Sequence, residues 1–159
     1  MTETTDYHLL SRQLDAMLDG ETDLIANLSN ASALLNENLS QINWVGFYLM
    51  KDEALILGPF QGKPACVHIE VGKGVCGTAV AKNQTQRVAD VHAFPGHIAC
   101  DANSQSEIVI PIHKGGEVIG VLDIDAPIPA RFSEADEAGL EDVVKVLETH
   151  LQTIYSNYV

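Results

Sequence analysis

Apolar residues recur at helical spacing over residues 6–18, with Leu9, Leu10, Leu14, Met17 and Leu18 on one stripe, and Gly20 ends the run. A second stripe, Leu24, Ile25, Leu28, Ala31, Leu34, Leu35 and Leu39, follows Thr22, whose hydroxyl suits an N-cap. The period then changes to two. In INWVGFYLM, Ile42, Trp44, Gly46 and Tyr48 fall on one side and Val45, Phe47 and Leu49 on the other, and apolar positions on both sides predict a central strand. Short strands are predicted at ALILG and ACVHIE, with the turn-rich PFQGKP between them. Gly72, Gly74 and Gly77 in GKGVCGTAVAKN lead into a short helix, and TQRVADV resumes extended structure. Residues 90–104, DVHAFPGHIACDANS, follow neither period and read as a long loop, a kind of segment that often carries function. The β-branched runs at 107–112 and 118–125 are joined by Lys114, Gly115 and Gly116, which predicts a hairpin. Ser133 and Asp136 form a capping box for a last helix striped by Leu140, Val143, Val144, Leu147, Leu151 and Ile154. Together these elements predict one α+β domain over residues 1–159, with helices packed on a central antiparallel sheet.

Charge narrows the partners. Nine Lys and Arg against 22 Asp and Glu give a net charge of −13 over 159 residues, and a polyanion repels nucleic acid and anionic lipid surfaces. The longest apolar run, around 44–50, is far short of the about 20 residues that span a bilayer. MTETTDYHLL has no basic residue before Arg12, so neither a secretory signal nor a transit peptide is expected, and the expected location is the cytoplasm. Cys66, Cys76 and Cys100 are an odd number of cysteines, so at least one is expected to be a free thiol.

Gly72, Gly74 and Gly77 match a dinucleotide fingerprint, but the hairpin and single helix that follow are not a parallel βαβ array, so they read as a turn. Cys66, His68, His92, His97 and Cys100 could be assembled into a zinc site, yet none shows the usual ligand spacing, and no metal or other cofactor is expected. Cys100 lies in the irregular loop beside His97, Asp101, Asn103 and Ser104, where a thiol is accessible; the plain alternative is a small buried hydrophobe. Cys76 sits at a helix start, a place that can lower a thiol pKa. Asp123 and Asp125 interrupt VIGVLDID on the face expected for Ile119 and Val121, and acids on an apolar face are costly without partners or work to do. With a three-residue loop at Lys114, Gly115 and Gly116, His113 pairs with Glu117 and Glu107 falls opposite Asp123, so three carboxylates converge. A plain two-residue turn at Gly115 and Gly116 would instead send Glu107 to the other face. Solvated strand ends are the alternative for these acids.

With GKGVCGTAV, VADVHAFPGHIACD, SQSEIVIPI, GEVIGVLDIDAP and FSEADEAGLE, the chain resembles the GAF-domain free methionine (R)-sulfoxide reductases, from the NWVGFY strand to the last helix. The resemblance implies a GAF fold with a six-stranded antiparallel sheet, and reduction of free L-methionine (R)-sulfoxide at the expense of thioredoxin. It implies Cys100 as nucleophile and Cys66 as resolving thiol, and leaves the role of Cys76 less settled. It maps the family's acids onto Glu107, Asp123 and Asp125, its aromatic pocket residues onto Trp44 and Tyr48, and suggests a homodimer. Two other readings stay open, a GAF small-molecule sensor without turnover and a thiol redox switch. A sensor is usually fused to an output domain, for which this length leaves no room, and a switch would not need the acids.

Overall fold

The computed structural model describes residues 4–97 and 102–151. The elements run α1 (Tyr7–Leu18), α2 (Leu24–Asn38), β1 (Trp44–Lys51), β2 (Ala54–Gly62), β3 (His68–Glu70), α3 (Gly74–Lys82), β4 (Gln86–Val88), β5 (Ser106–Lys114), β6 (Glu117–Ala126) and α4 (Glu134–Leu151). The strands form one antiparallel sheet in the order β3-β2-β1-β6-β5-β4, so the predicted α+β architecture and central strand β1 are present. A short 3-10 turn, Val91–Ala93, is the regular structure found in the described part of the 90–104 loop. No helix among the described residues is long and apolar enough to cross a membrane.

Helices α1, α2 and α4 cover one face of the sheet. Leu10, Leu14 and Leu18 of α1, Leu24, Leu28 and Leu35 of α2, and Leu140, Val143, Val144, Leu147 and Leu151 of α4 bury against Val45, Phe47, Ile108, Ile110, Leu122 and Ile124. Ile154 of the predicted last stripe lies outside the described residues. The first two stripes are narrower than their apolar content suggests, because Leu9, Met17 and Ile25 are 47%, 42% and 44% exposed. Asp23, not Thr22, caps α2, its carboxylate accepting from the Ala26 amide at 2.9 Å. A carboxylate at this position also favours the positive end of the helix dipole. Ile42 precedes β1 and packs on the helical side, not with Trp44 and Tyr48.

The opposite face carries α3. There Val75, Cys76 and Ala79 pack on Trp44, Tyr48, Leu55, Ile69, Val109 and Val121. The glycine run before α3 is a structural turn: a Cβ on Gly77 would lie 2.3 Å from the Glu70 carbonyl oxygen, so only glycine lets α3 approach β3 this closely. Strand β2 runs on through Pro59 and Phe60, which sequence alone assigned to a turn. Phe60 pairs with Gly46, and the register shift between Gly46 and Tyr48 lets β2 continue past its proline.

Residues before α4 knit three elements together. Asp136 accepts from Tyr7 Oη at 2.6 Å, from Arg131 Nη1 at 3.2 Å and from the Ser133 amide at 2.9 Å, while its own amide donates to Ser133 Oγ at 3.1 Å. The predicted capping box is thus formed. Burial pushes the Asp136 carboxyl up, but the bonds from Ser133 and Tyr7 and the Arg131 charge outweigh it and hold the group below the usual aspartate range. A folded-state pKa below the unfolded value of about 3.9 contributes stability that is present above that pH and lost as pH falls through the folded value. Asp136→Asn should therefore lower unfolding free energy by about 1–2 kcal/mol at pH 7 and flatten the acid limb of stability against pH. Urea midpoints between pH 2 and 7 check this, and an unchanged acid limb would contradict it.

Candidate active site

The hairpin between β5 and β6 decides which side chains meet. Lys114 pairs with Glu117, so the turn is two residues long, and both Gly115 and Gly116 take positive φ, +59° and +82°. That is the two-glycine turn whose twist matches a hairpin, not the three-residue loop expected from sequence. The parity is restored further along. Ile112 pairs with Gly120 but His113 with Val118, leaving Ile119 as an extra residue on β6. Glu107 consequently falls opposite Asp125, while Asp123 faces Val109; the expected Glu107–Asp123 pairing is corrected by two residues along β6. The bulge also separates Ile119, which joins the helical core, from Val121, which packs on the pocket side with the acids' face.

Strand pairing sets Trp44, Asp125 and Glu107 side by side across β1, β6 and β5. Asp123 lies opposite Gly46 of β1, between the rows of Trp44 and Tyr48. These residues line a pocket with Ile69, Lys73, Gly74, Val75, Cys76, His97 and Ser104, and Pro64 and Ala65 form part of its rim. Its cavity volume is about 50 Å³, and it opens to solvent.

One wall is aromatic. Trp44 stacks on Phe60 at 5.1 Å and 16° and on Tyr48 at 5.9 Å and 24°. Both residues of β1 also hold the segment at the rim: Trp44 Nε1 donates to the Lys63 carbonyl at 3.1 Å, and Tyr48 Oη donates to the Cys66 carbonyl at 2.9 Å. Burial, then the charges of Asp123 and its neighbours, push the Tyr48 phenol up, so it is a neutral donor at physiological pH.

The other wall is acidic and dry. Glu107 and Asp123 are 8% and 5% exposed. Burial is the largest cause that raises the Glu107 carboxyl well above the ordinary range, followed by the charges of Asp123 and Asp125. Asp123 is raised by burial too, but hydrogen bonds from Glu107, Cys76 and Asp125 act in the opposite direction. Burial and the neighbouring charges thus favour a proton shared within the group of Glu107, Asp123 and Asp125. Cys76, in the first turn of α3, has its thiol pushed up by burial and by Asp123, Glu107 and Asp125. Desolvation and three acids outweigh the helix terminus that sequence suggested would lower it.

Of the residues singled out from sequence, the fold brings together Trp44, Tyr48, Cys76, Glu107, Asp123 and Asp125. Cys66, next in sequence to Ala65 of the pocket lining, is half-buried and disulfide-bonded, while Cys76 is a free thiol. Cys100 lies outside the described residues. Sequence reasoning missed Phe60, which a period-two reading of ALILGPFQG would have kept in the strand despite Pro59. It also passed over Asn43, whose Nδ2 donates to the buried Ser104 Oγ at 3.2 Å and whose amide donates to the Asp125 carbonyl at 2.9 Å.

Residues 13–151 match the GAF domain family. Over 153 residues the chain is 57% identical to the free methionine-R-sulfoxide reductase of Escherichia coli strain K12, covering 96% of this chain and 93% of that one. The reduced form of fRMsr of Staphylococcus aureus superposes with a TM-score of 0.93 at 62% identity, over 95% of this chain and 98% of that one. The free methionine-R-sulfoxide reductase of Neisseria meningitidis, solved in complex with its substrate, superposes with a TM-score of 0.89 at 43% identity, over 95% and 93%.

The raised Glu107 has a thermodynamic signature. An acid whose folded pKa lies above its unfolded value favours the fold most at pH below the unfolded value, about 4.3, and loses that contribution as pH rises toward the folded value. Glu107→Gln removes this linkage. It should raise the melting temperature at pH 8 by about 2–4 °C for each kcal/mol of penalty relieved, and the gain should shrink toward pH 4. Calorimetry across that range checks it; a gain that is equal at both ends would show that Glu107 does not titrate abnormally.

Proposed function

This chain belongs to the GAF-domain free methionine-(R)-sulfoxide reductases, and on that premise we propose that it reduces free L-methionine (R)-sulfoxide to methionine in the pocket between α3 and the sheet. The observation that carries this reading is the convergence of Glu107, Asp123 and Asp125 beside the Trp44 and Tyr48 wall, whose Tyr48 hydroxyl holds the carbonyl of the disulfide-bonded Cys66. A sulfoxide oxygen is a poor acceptor for bond exchange unless it is protonated, and Glu107 is the acid placed to supply the proton. Asp123 and Asp125 keep Glu107 protonated by their charge, and a remaining carboxylate binds the substrate ammonium, which favours the free amino acid over a peptide. Trp44 receives the S-methyl group.

Cys100 is the proposed nucleophile. Its thiolate attacks the sulfoxide sulfur; as the protonated oxygen leaves that sulfur a Cys100 S–O bond forms and the transient S–S bond breaks, so methionine departs with its sulfur reduced by two electrons and Cys100 is oxidised to a sulfenic acid. Cys66 then attacks the sulfenic sulfur and water departs, giving a disulfide between the two. A dithiol of the thioredoxin class reduces that disulfide by exchange and is itself oxidised. The bonded state of Cys66, set against the free thiol of Cys76, supports Cys66 as the resolving residue, and we take its partner to be Cys100. In this scheme Cys76 is a neutral member of the pocket wall, and the enzyme works in a reducing cytoplasm, with a homodimer as a further expectation.

Addition of methionine (R)-sulfoxide to the reduced protein should release one methionine per chain and leave the protein two hydrogens lighter by mass spectrometry. Cys100→Ser should abolish the first turnover, whereas Cys66→Ser should keep it and lose at least about 100-fold in thioredoxin-dependent cycling. A Cys66 variant that fails in the first turnover, with an active Cys100 variant, would reverse the roles. The S epimer should react at least about 100-fold more slowly, because its oxygen would point into the Trp44 wall; comparable rates on both epimers would sink the pocket assignment. Binding of the sulfoxide with no methionine released would favour the sensor reading.

A further inference from the structure

Cys76 presents a feature the reductase scheme leaves unused. Its Sγ lies within 4.8 Å of a carboxylate oxygen of Glu107 and one of Asp123, and those two oxygens lie within the same distance of each other. All three residues are buried, at 4%, 8% and 5% exposure, and they come from three different elements, the first turn of α3, β5 and β6. Among the described residues, no basic side chain forms an ion pair with Glu107 or Asp123. A second observation points to a ligand: Asp123 Oδ1 is buried and has no hydrogen-bond partner among the described residues, and Asp123 lines the pocket. A buried carboxylate oxygen left in this state costs free energy that an incoming cation would recover.

From this geometry we infer that the pocket binds one thiophilic divalent cation of the zinc class through Cys76 Sγ and one oxygen each of Glu107 and Asp123. A tetrahedral zinc ion with one sulfur and two oxygen ligands holds those atoms about 3.5 Å apart. Binding displaces the protons of the Cys76 thiol and the Glu107 carboxyl to solvent, and the thiolate so formed selects zinc, cobalt or cadmium over magnesium and calcium, which prefer all-oxygen sites. Water or a solute would complete the shell at the fourth position. These ligands are not the Cys66, His68, His92, His97 and Cys100 set that sequence offered for zinc and that lacks ligand spacing. Because the cation would occupy the acids that the reductase reading assigns to substrate, it would block turnover reversibly; that consequence rests on the reductase reading, whereas the binding itself does not.

The test uses the oxidised protein, in which Cys66 is bonded and Cys76 is the free thiol. Titration with Co²⁺ should give one site per chain, with a near-ultraviolet thiolate-to-cobalt charge-transfer band and the intense visible bands of a tetrahedral ion, both bleached by Zn²⁺. Cys76→Ser should remove the charge-transfer band. Glu107→Gln and Asp123→Asn should keep it but weaken binding by roughly tenfold or more, with circular dichroism confirming that each variant is folded. If the Cys76 variant does not fold, the two carboxyl variants carry the test. Absence of the charge-transfer band, or Zn²⁺ affinity unchanged in all three variants, would overturn the inference. Methionine (R)-sulfoxide should compete with Co²⁺. A cobalt band in a protein that does not turn over would leave the metal site standing without the reductase reading, and turnover without the band would do the reverse.

Discussion

The placement of three carboxyl groups on one face of an otherwise apolar sheet is the constraint on which this structure turns. A carboxylate carried out of water without a partner costs several kcal/mol, and here Glu107 and Asp123 are both buried. The sheet tolerates them because they face one another and share protons, so the group as a whole carries less charge than three separate acids would. That arrangement exists only if β5 and β6 present the acids to the same side. The extra residue Ile119 supplies the required shift of one position. Without it, the two-glycine turn would put Glu107 on the face opposite to Asp123 and Asp125.

The rest of the pocket is arranged around this cluster. Gly46 has no side chain to cover Asp123, which it adjoins across the β1–β6 pairing. Trp44 and Tyr48, two residues to either side of it, stand as the apolar wall and at the same time hold the Lys63 and Cys66 carbonyls. The pocket rings and the segment from Lys63 to Cys66 therefore belong to one hydrogen-bonded unit. On the opposite side α3 brings Cys76 against the acids, made possible by Gly77 lying against the Glu70 carbonyl. The helical layer below, with α1, α2 and α4, has no part in the chemistry but fixes the sheet that carries it.

Much of this was legible from residue order. The period-two run of β1, the capping box at Ser133 and Asp136, the glycine turn into α3, and the pairing of two aspartates two apart on β6 are all local patterns, and each appears where it was expected. The errors have local causes too. Pro59 looks like a strand breaker, yet the register shift between Gly46 and Tyr48 beside it lets β2 run on to Gly62. Thr22 and Asp23 are both good caps, and a carboxylate reaching the Ala26 amide won. Leu9, Met17 and Ile25 fit the helical period but lie beyond the width of surface that the sheet can cover.

Residue types and their spacing determined the α+β class, the central antiparallel strand, the acids that interrupt an apolar strand, and the aromatic positions Trp44 and Tyr48, four residues apart on one face of that strand. These depend on interactions within a few residues of one another, which a linear pattern records. The tertiary structure alone decided that Glu107 stands opposite Asp125 and not Asp123, that Cys76 joins the acids with its thiol raised, and that Phe60 backs Trp44. Each of those outcomes turns on a strand register, a bulge or a helix docked from elsewhere in the chain. A one-residue slip in register reverses every side chain of a strand, and the choice between registers is made by the packing of both faces at once, which no single segment contains.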